Sequence, residues 1–472
     1  MATPAPIPVA ARQLNVVKIS LEPGASGPEP TSEKESRVLF EVKVNDEQVG
    51  LLEATVSEIG LPLTLSAARS IQSDESSYRI PTHIAAALRQ VAQESGEPLW
   101  LSFPQPSGYL PIVPWESLLQ PHVQVPILRL SYTKVQPVIS QGSLDVVVCF
   151  SFPAAKVRSQ ALKPEDVIRY YFDHIPENIR QYTTFHVFAD AGVQNVLADV
   201  RSSHSDCKIK VYDPAMAARY EEPEAEPDPE GSVADLESPW FLWARDAMGK
   251  CSADIAHFFC HGFLGREDGF LCFSESPLWN DDEEFSRFVG ARQICTFLDQ
   301  VGAWSVAFSS QPGNYSVAGL RFLQDQLSRI RPGPVLFHDM LLDPDAIVLN
   351  RAYQYAYALE EAEAPESPAF SLYCHPDWAM PVSDEGPERV VNELTLPRRI
   401  PQAFKSAENM PSWLASGQRS LERAASQLIS SDPQSQAEVL RSGKAEALKF
   451  AANVMQQHAM KFGIGGDGEG NA

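Results

Sequence analysis

The chain has 472 residues, 44% of them hydrophobic and 21% charged, which is enough for two or three domains with packed cores. Its net charge of −23, from 61 acidic against 38 basic residues, repels phosphate backbones and anionic lipid, and Arg398-Arg399 is only an isolated basic pair. No nucleic-acid or membrane partner is expected on that ground. No apolar run approaches the ~18–20 residues of a membrane span, and Met1 to Pro6 has no basic n-region, so a cytoplasmic protein is expected. The seven cysteines stand singly with no C-x-x-C, which reads as reduced thiols in apolar runs, and no metal or cofactor site is expected.

In chain order, Arg12 to Leu21 alternates as a strand should, and residues 22–36 read as a loose loop rich in Pro, Gly, Ser and Glu. Val38 to Val44 and Gln48 to Val56 flank Asn45-Asp46, a hairpin signal. Pro81 to Ser95 carries Ile84, Ala85, Leu88 and Val91 on one helical stripe. Trp100 to Phe103 and Tyr109 to Ile112 read as a second hairpin closed by Pro114. Residues 1–140 are thus expected to form a small amino-terminal α+β domain.

Ser143 to Phe150 opens an α/β pattern with a near-continuous apolar strand. Helical patterns at Pro164 to Asp173 and Val193 to Arg201 alternate with strands at Phe185 to Ala189 and Lys208 to Tyr212, the signature of a mostly parallel sheet. Residues 215–237, acidic and proline-bearing, read as a solvated loop, either a regulatory insertion or a bland one. Ser238-Pro239 starts a helix, Asp281 to Glu284 is a favourable charge at a loop or helix start, and Asn314 to Ile330 and Asp343 to Glu361 are amphipathic helices. Phe370 to Cys374 is a late strand. After Pro397 the texture turns Ala- and Gln-rich, and residues 398–472 read as a helical hairpin with an acidic tail.

The chemistry gathers on two apolar strands of the α/β block, which spans residues 141–397. Ala253 to Cys260 delivers His261 and Gly262 to the sheet edge, where Gly262 is expected to let the backbone turn sharply. Ala303 to Phe308 ends in Ser309, Ser310 and, a little later, Gly313. Ligands and catalytic groups of open α/β sheets collect at the carboxyl ends of strands. His257 faces the core, and Cys260 points away from His261 by strand alternation, so neither is expected at the site. Cys295 lies in a helical pattern and reads as core.

His257-x-x-x-His261-Gly262 resembles the HxxxHG signature of CHAT domains, caspase-like cysteine peptidases of clan CD. The run Phe308 to Gly313 resembles the family's SAC-x-T-G segment, with Ser310 where the catalytic cysteine belongs. Ser107-Gly108-Tyr109-Leu110-Pro111-Ile112-Val113-Pro114-Trp115-Glu116-Ser117-Leu118 resembles its LPWE.L segment, and Gly319 to Leu323 a helix after the nucleophile. These matches cover residues 100–340. The resemblance implies a caspase-like, mostly parallel sheet flanked by helices. His261 is then the catalytic histidine, with Gly262 and Gly313 near the oxyanion-binding N–H groups. A serine in place of the cysteine departs from the pattern, because a hydroxyl ionises far less readily than a thiol.

Three readings stay open. One is an inactive caspase-like scaffold or regulator. Another is an endopeptidase or hydrolase using a His261–Ser310 dyad, including an engineered Cys-to-Ser form. The last is a generic α/β binding domain. Phe308, two positions before Ser310, puts the Arg/Lys preference of some relatives in doubt. The resemblance also implies a defence or signalling assembly, with a protein partner, a sensor chain or a peptide substrate as the bound species.

Overall fold

A computed structural model describes residues 14–375, apart from 23–35, 62–77, 106, 132–143, 154–162, 221–235, 250, 266–267, 279–285, 311–315, 332 and 358–361. The expected carboxy-terminal helices at 398–472, Gly313, the charge run Asp281 to Glu284 and most of the acidic loop lie outside the described residues. Of that loop, Pro214–Tyr220 is a 3-10 helix with Ala217 buried, so its first part is packed against the body.

The chain is an α/β protein with one large, mixed, mostly parallel sheet flanked by helices. Strand β1 (Asn15–Glu22) pairs antiparallel with β2 (Arg37–Val44), and β2 with β3 (Glu47–Thr55). Asn45 and Asp46 take φ of 50° and 68°, the left-handed pair that a tight two-residue hairpin needs. Thr55 and Glu58 form a reciprocal capping box on the short helix α1 (Val56–Ile59). Helix α2 (Thr82–Ser95) buries Ile84, Ala85, Leu88 and Ala92 and ends at Gly96, whose φ is 68°.

The second expected hairpin does not form. Strand β4 (Leu99–Ser102) lies parallel between β1 and β5 (Ile127–Leu130), while Leu110–Ile112 is a 3-10 turn. Pro111 lacks the N–H a ladder needs, and Gly108, at φ 54°, bends the chain just before it. Helix α3 (Trp115–Leu119) follows and buries Trp115 and Glu116.

The α/β block runs β6 (Leu144–Phe150), α4 (Pro164–His174), α5 (Glu177–Arg180), β7 (Thr183–Ala189), α6 (Gln194–Ser203), β8 (Lys208–Val211), α7 (Pro239–Met248), β9 (Ile255–Leu264), β10 (Gly269–Ser274), β11 (Ser286–Gly290), α8 (Ala291–Val301), β12 (Ser305–Ser310), α9 (Ser316–Ile330), β13 (Val335–Asp339), α10 (Ile347–Tyr357) and β14 (Phe370–Cys374). In space the order is β3-β2-β1-β4-β5-β14-β13-β12-β9-β6-β7-β8, with β10 and β11 hanging from the end of β9. One core joins the sheet to α7, α8 and α9 through residues such as Phe241, Phe297 and Leu323. A second joins it to α4, α6 and α10 through Phe172, Leu197 and Tyr353, and a third packs Trp100, Leu128 and Leu336 of the sheet against Ala352 of α10.

The amino-terminal strands and the α/β block share this single sheet, joined where β5 pairs in parallel with β14. The Leu110 to Leu118 segment sits at that join. Trp115 donates its ring N–H to the Leu110 carbonyl at 2.7 Å. Glu116 takes two hydrogen bonds from Arg129 of β5, at 2.6 and 2.9 Å, with both side chains fully buried. The guanidinium also lies against the rings of Phe103 and Tyr373, and Tyr373 donates to Asp325 of α9 at 2.8 Å. Burial alone would raise the Glu116 carboxyl; Arg129 beside it outweighs that and holds it below the usual range.

Candidate active site

Strands β9, β12 and β13 are parallel neighbours, so their carboxyl ends share one edge of the sheet. Strand β9 outruns that parallel ladder. It does not turn at Gly262 as expected. It continues to Leu264, and Gly262 pairs with Leu271 of β10 while His261 pairs with Cys272. A second partner strand supplies the ladder hydrogen bonds that would otherwise be missing past Cys260, and this keeps Gly262 extended.

Register decides which side chains meet. Ser310 pairs with Cys260 and with Asp339, and residues paired in register share a face of the sheet. That face is the one packed by α7, α8 and α9, where Cys260, Phe258 and Phe308 lie. His261, one residue on from Cys260, belongs to the other face. The Ser310 hydroxyl is buried and donates to Asp339 Oδ1 at 3.4 Å. No hydrogen bond joins it to His261 among the described residues. His261 is half-buried, and burial lowers its pKa, so the ring favours the neutral form.

The serine on the histidine face is Ser309, which sequence reasoning passed over. It is fully buried beside two imidazoles: His257 Nε2 at 2.9 Å and His338 Nδ1 at 3.2 Å. His338 Nε2 reaches Asp343 Oδ2 at 3.0 Å, and His257 Nδ1 reaches the Tyr353 hydroxyl at 2.6 Å. His257 is the buried core histidine expected of it. Strand alternation could have found the pairing, because Ser309 stands in register with Phe259, two residues beyond His257 and on its face.

A separate buried carboxyl closes the ends of β6, β7 and β10. Asp190 accepts from the Phe152 N–H at 2.7 Å and from the Ser274 hydroxyl, which also lies 3.1 Å from the Ser151 hydroxyl. Burial pushes Asp190 up to about 7, against the lowering pull of those hydrogen bonds. The cysteines are all free thiols, and Cys260 is fully buried, with its thiol pushed up by burial. Cys295 packs partly buried against the core.

Among the described residues no group of three or more His, Cys, Asp and Glu side chains is placed to hold a metal ion, and no helix is long and apolar enough to cross a membrane. No protein-family model matches the chain, and no curated protein or solved structure matches it.

Proposed function

We propose that this chain is a CHAT-like, caspase-fold protein that serves as a scaffold or regulator within a defence or signalling assembly, without a working peptidase nucleophile. The observation that carries this is the partner of Ser310. A nucleophilic hydroxyl needs a base that takes its proton as it attacks, within ~2.6–3.2 Å. The Ser310 hydroxyl is turned toward a carboxylate, on the sheet face opposite His261, and is shut off from solvent. A carboxylate is too weak a base to activate an alcohol by itself. The caspase-like part of the reading is supported by Ser310 ending β12 in register with Cys260 of the adjacent parallel strand β9, one residue before His261.

The test is a peptidase assay on a mixed peptide library, with the wild-type chain beside Ser310→Cys and His261→Ala. It is paired with a fluorophosphonate probe that labels activated serines. The proposal expects no cleavage from the wild-type chain or Ser310→Cys, and no labelling. Cleavage by the wild-type chain that disappears in His261→Ala would make it a serine hydrolase. Cleavage gained only in Ser310→Cys would mean a complete groove silenced at one atom.

A further inference from the structure

Beyond Cys260 the sheet carries an annex. The last residues of β9, with β10 and β11, form an antiparallel ribbon, and β11 pairs with β10 alone among the described strands. Its outer edge therefore presents backbone N–H and C=O groups with no described strand beside them, the feature to which an extended segment adds.

Register sorts the side chains of this ribbon into two faces. Leu264, Leu271, Phe273 and Val289 are buried in the core with Phe258 and Phe297. On the other face Phe263 pairs with Phe270 and Phe270 with Gly290, while His261 pairs with Cys272 and Cys272 with Phe288. The solvated face of an antiparallel ribbon ordinarily carries polar side chains. Here it carries three phenylalanines, with Phe263 44% and Phe288 49% exposed. Their rings gather into one patch. Phe288 lies 4.7 Å from Phe263 across the buried Cys272, and Phe270 lies 6.4 Å from Phe263 and 6.3 Å from Phe288.

The patch is fixed before anything binds it. An added Cβ would lie 2.7 Å from the Phe270 ring at Gly265 and 3.2 Å from it at Gly290, so both glycines make room for that ring. Gly319 lets α9 press against the backbone of Phe263 from behind. A surface already ordered loses little freedom on binding.

We propose that this ribbon docks an extended segment of a partner protein, added to the outer edge of β11, in which apolar side chains alternate with lysine or arginine. The apolar side chains lie on Phe288 and Phe263, since side chains of a strand alternate between faces. The basic ones follow from charge. Asp268, Glu275 and the Glu237 carboxylate border β10 and β11 against Arg287 and Arg292, and Arg287 is already paired with Glu275 at 3.0 Å. The whole chain carries −23. Such a field draws in a basic partner and disfavours an acidic one. The proposal rests on the scaffold reading for expecting a partner rather than a substrate, and its test reads binding, not cleavage.

Fluorescence anisotropy of a dye-labelled peptide of alternating Lys and Phe, titrated with the full chain, supplies that test. Hydrogen exchange of residues 286–290 is followed in parallel. Saturable binding is expected, with slowed exchange along β11. Affinity is expected to fall about tenfold or more when Phe263→Ser and Phe288→Ser are combined. Methylating alternate peptide nitrogens, which removes donors for strand pairing, is expected to weaken binding as well, as is Glu in place of Lys in the peptide. Phe288→Ser alone serves if the double variant fails to fold. The proposal is overturned by no saturable binding, or by binding that the Ser variants, the methylated peptide or the Glu peptide leaves unchanged. A free chain that self-associates and is released by Phe288→Ser would assign the edge to a second copy of this chain, and would overturn it too. Cleavage of the bound peptide would remove the scaffold reading and leave the docking site standing.

Discussion

The strongest stability prediction concerns the Glu116–Arg129 pair, because its two sides make opposite claims about single and double substitution. Both side chains are fully buried. Arg129 Nε and Nη2 form a fork on the Glu116 carboxylate, and Nη1 donates to the Pro111 carbonyl at 2.8 Å. Glu116→Ala leaves the guanidinium in place with its charge uncompensated, which costs about 3–5 kcal/mol. Replacing both partners, as Glu116→Leu with Arg129→Met, removes two desolvated charges and fills similar volume. That double variant is expected within about 1 kcal/mol of wild type, or more stable than it. Urea unfolding of the three chains, with the slope checked for constancy, gives the comparison. A Glu116→Ala loss under about 1 kcal/mol would refute the reasoning, since the charge would then have found water or another partner. A double variant as damaged as the single one would refute it from the other side.

Two further predictions concern single positions. Asp190 has a folded pKa of about 7 against 3.8 for the free side chain, so the folded state holds its proton more tightly than the unfolded state. Its contribution is therefore fully present below about pH 3.8 and is lost as pH rises through about 7, a span worth about 4 kcal/mol. Asp190→Asn, which keeps an acceptor for the Phe152 N–H and removes the titrating carboxyl, is expected to flatten stability across that window; an unchanged pH profile by chemical unfolding would count against it. At Gly319 of α9 an added Cβ would lie 2.5–2.7 Å from the backbone of Phe263 on β9. Gly319→Ala should thus lose about 1–3 kcal/mol by forcing α9 away from that strand, and a melting temperature equal to wild type would show that the helix shifts freely.

Much of the frame was legible because it rests on periodicity. Leu144 to Phe150 and Phe370 to Cys374 form the strands their apolar runs announce, and Asn45-Asp46 turns as its chemistry requires. What was not legible came from pairing across distance. Nothing local to Gly262 reveals that β10 returns to keep it extended. The Leu110 to Leu118 segment shows its proline but not Arg129, whose charge Glu116 meets across the fold. At the site, His261 and Ser310 were read from strand ends and from the motif resemblance. Which face each side chain takes depends on register, and register is set by three strands together. For the same reason Ser309 went unseen: of its two partners, His257 was read as core alone, and His338 lies on β13 and belongs to no motif.

The join between β5 and β14 has a mechanical consequence. Among the described residues two pairs, Tyr373 with Arg129 and Cys374 with Leu130, link the strands in register, and the Ser131 N–H adds a bond to the Cys374 carbonyl. Among the described strands, a pull applied across the sheet meets its shortest row of backbone bonds there. The side chains of Glu116, Arg129, Tyr373 and Asp325 bridge that row like a rivet through a narrow weld. While they hold, tension on the amino-terminal strands reaches β13 and β12, and so reaches Ser309 and Ser310, through a continuous backbone ladder.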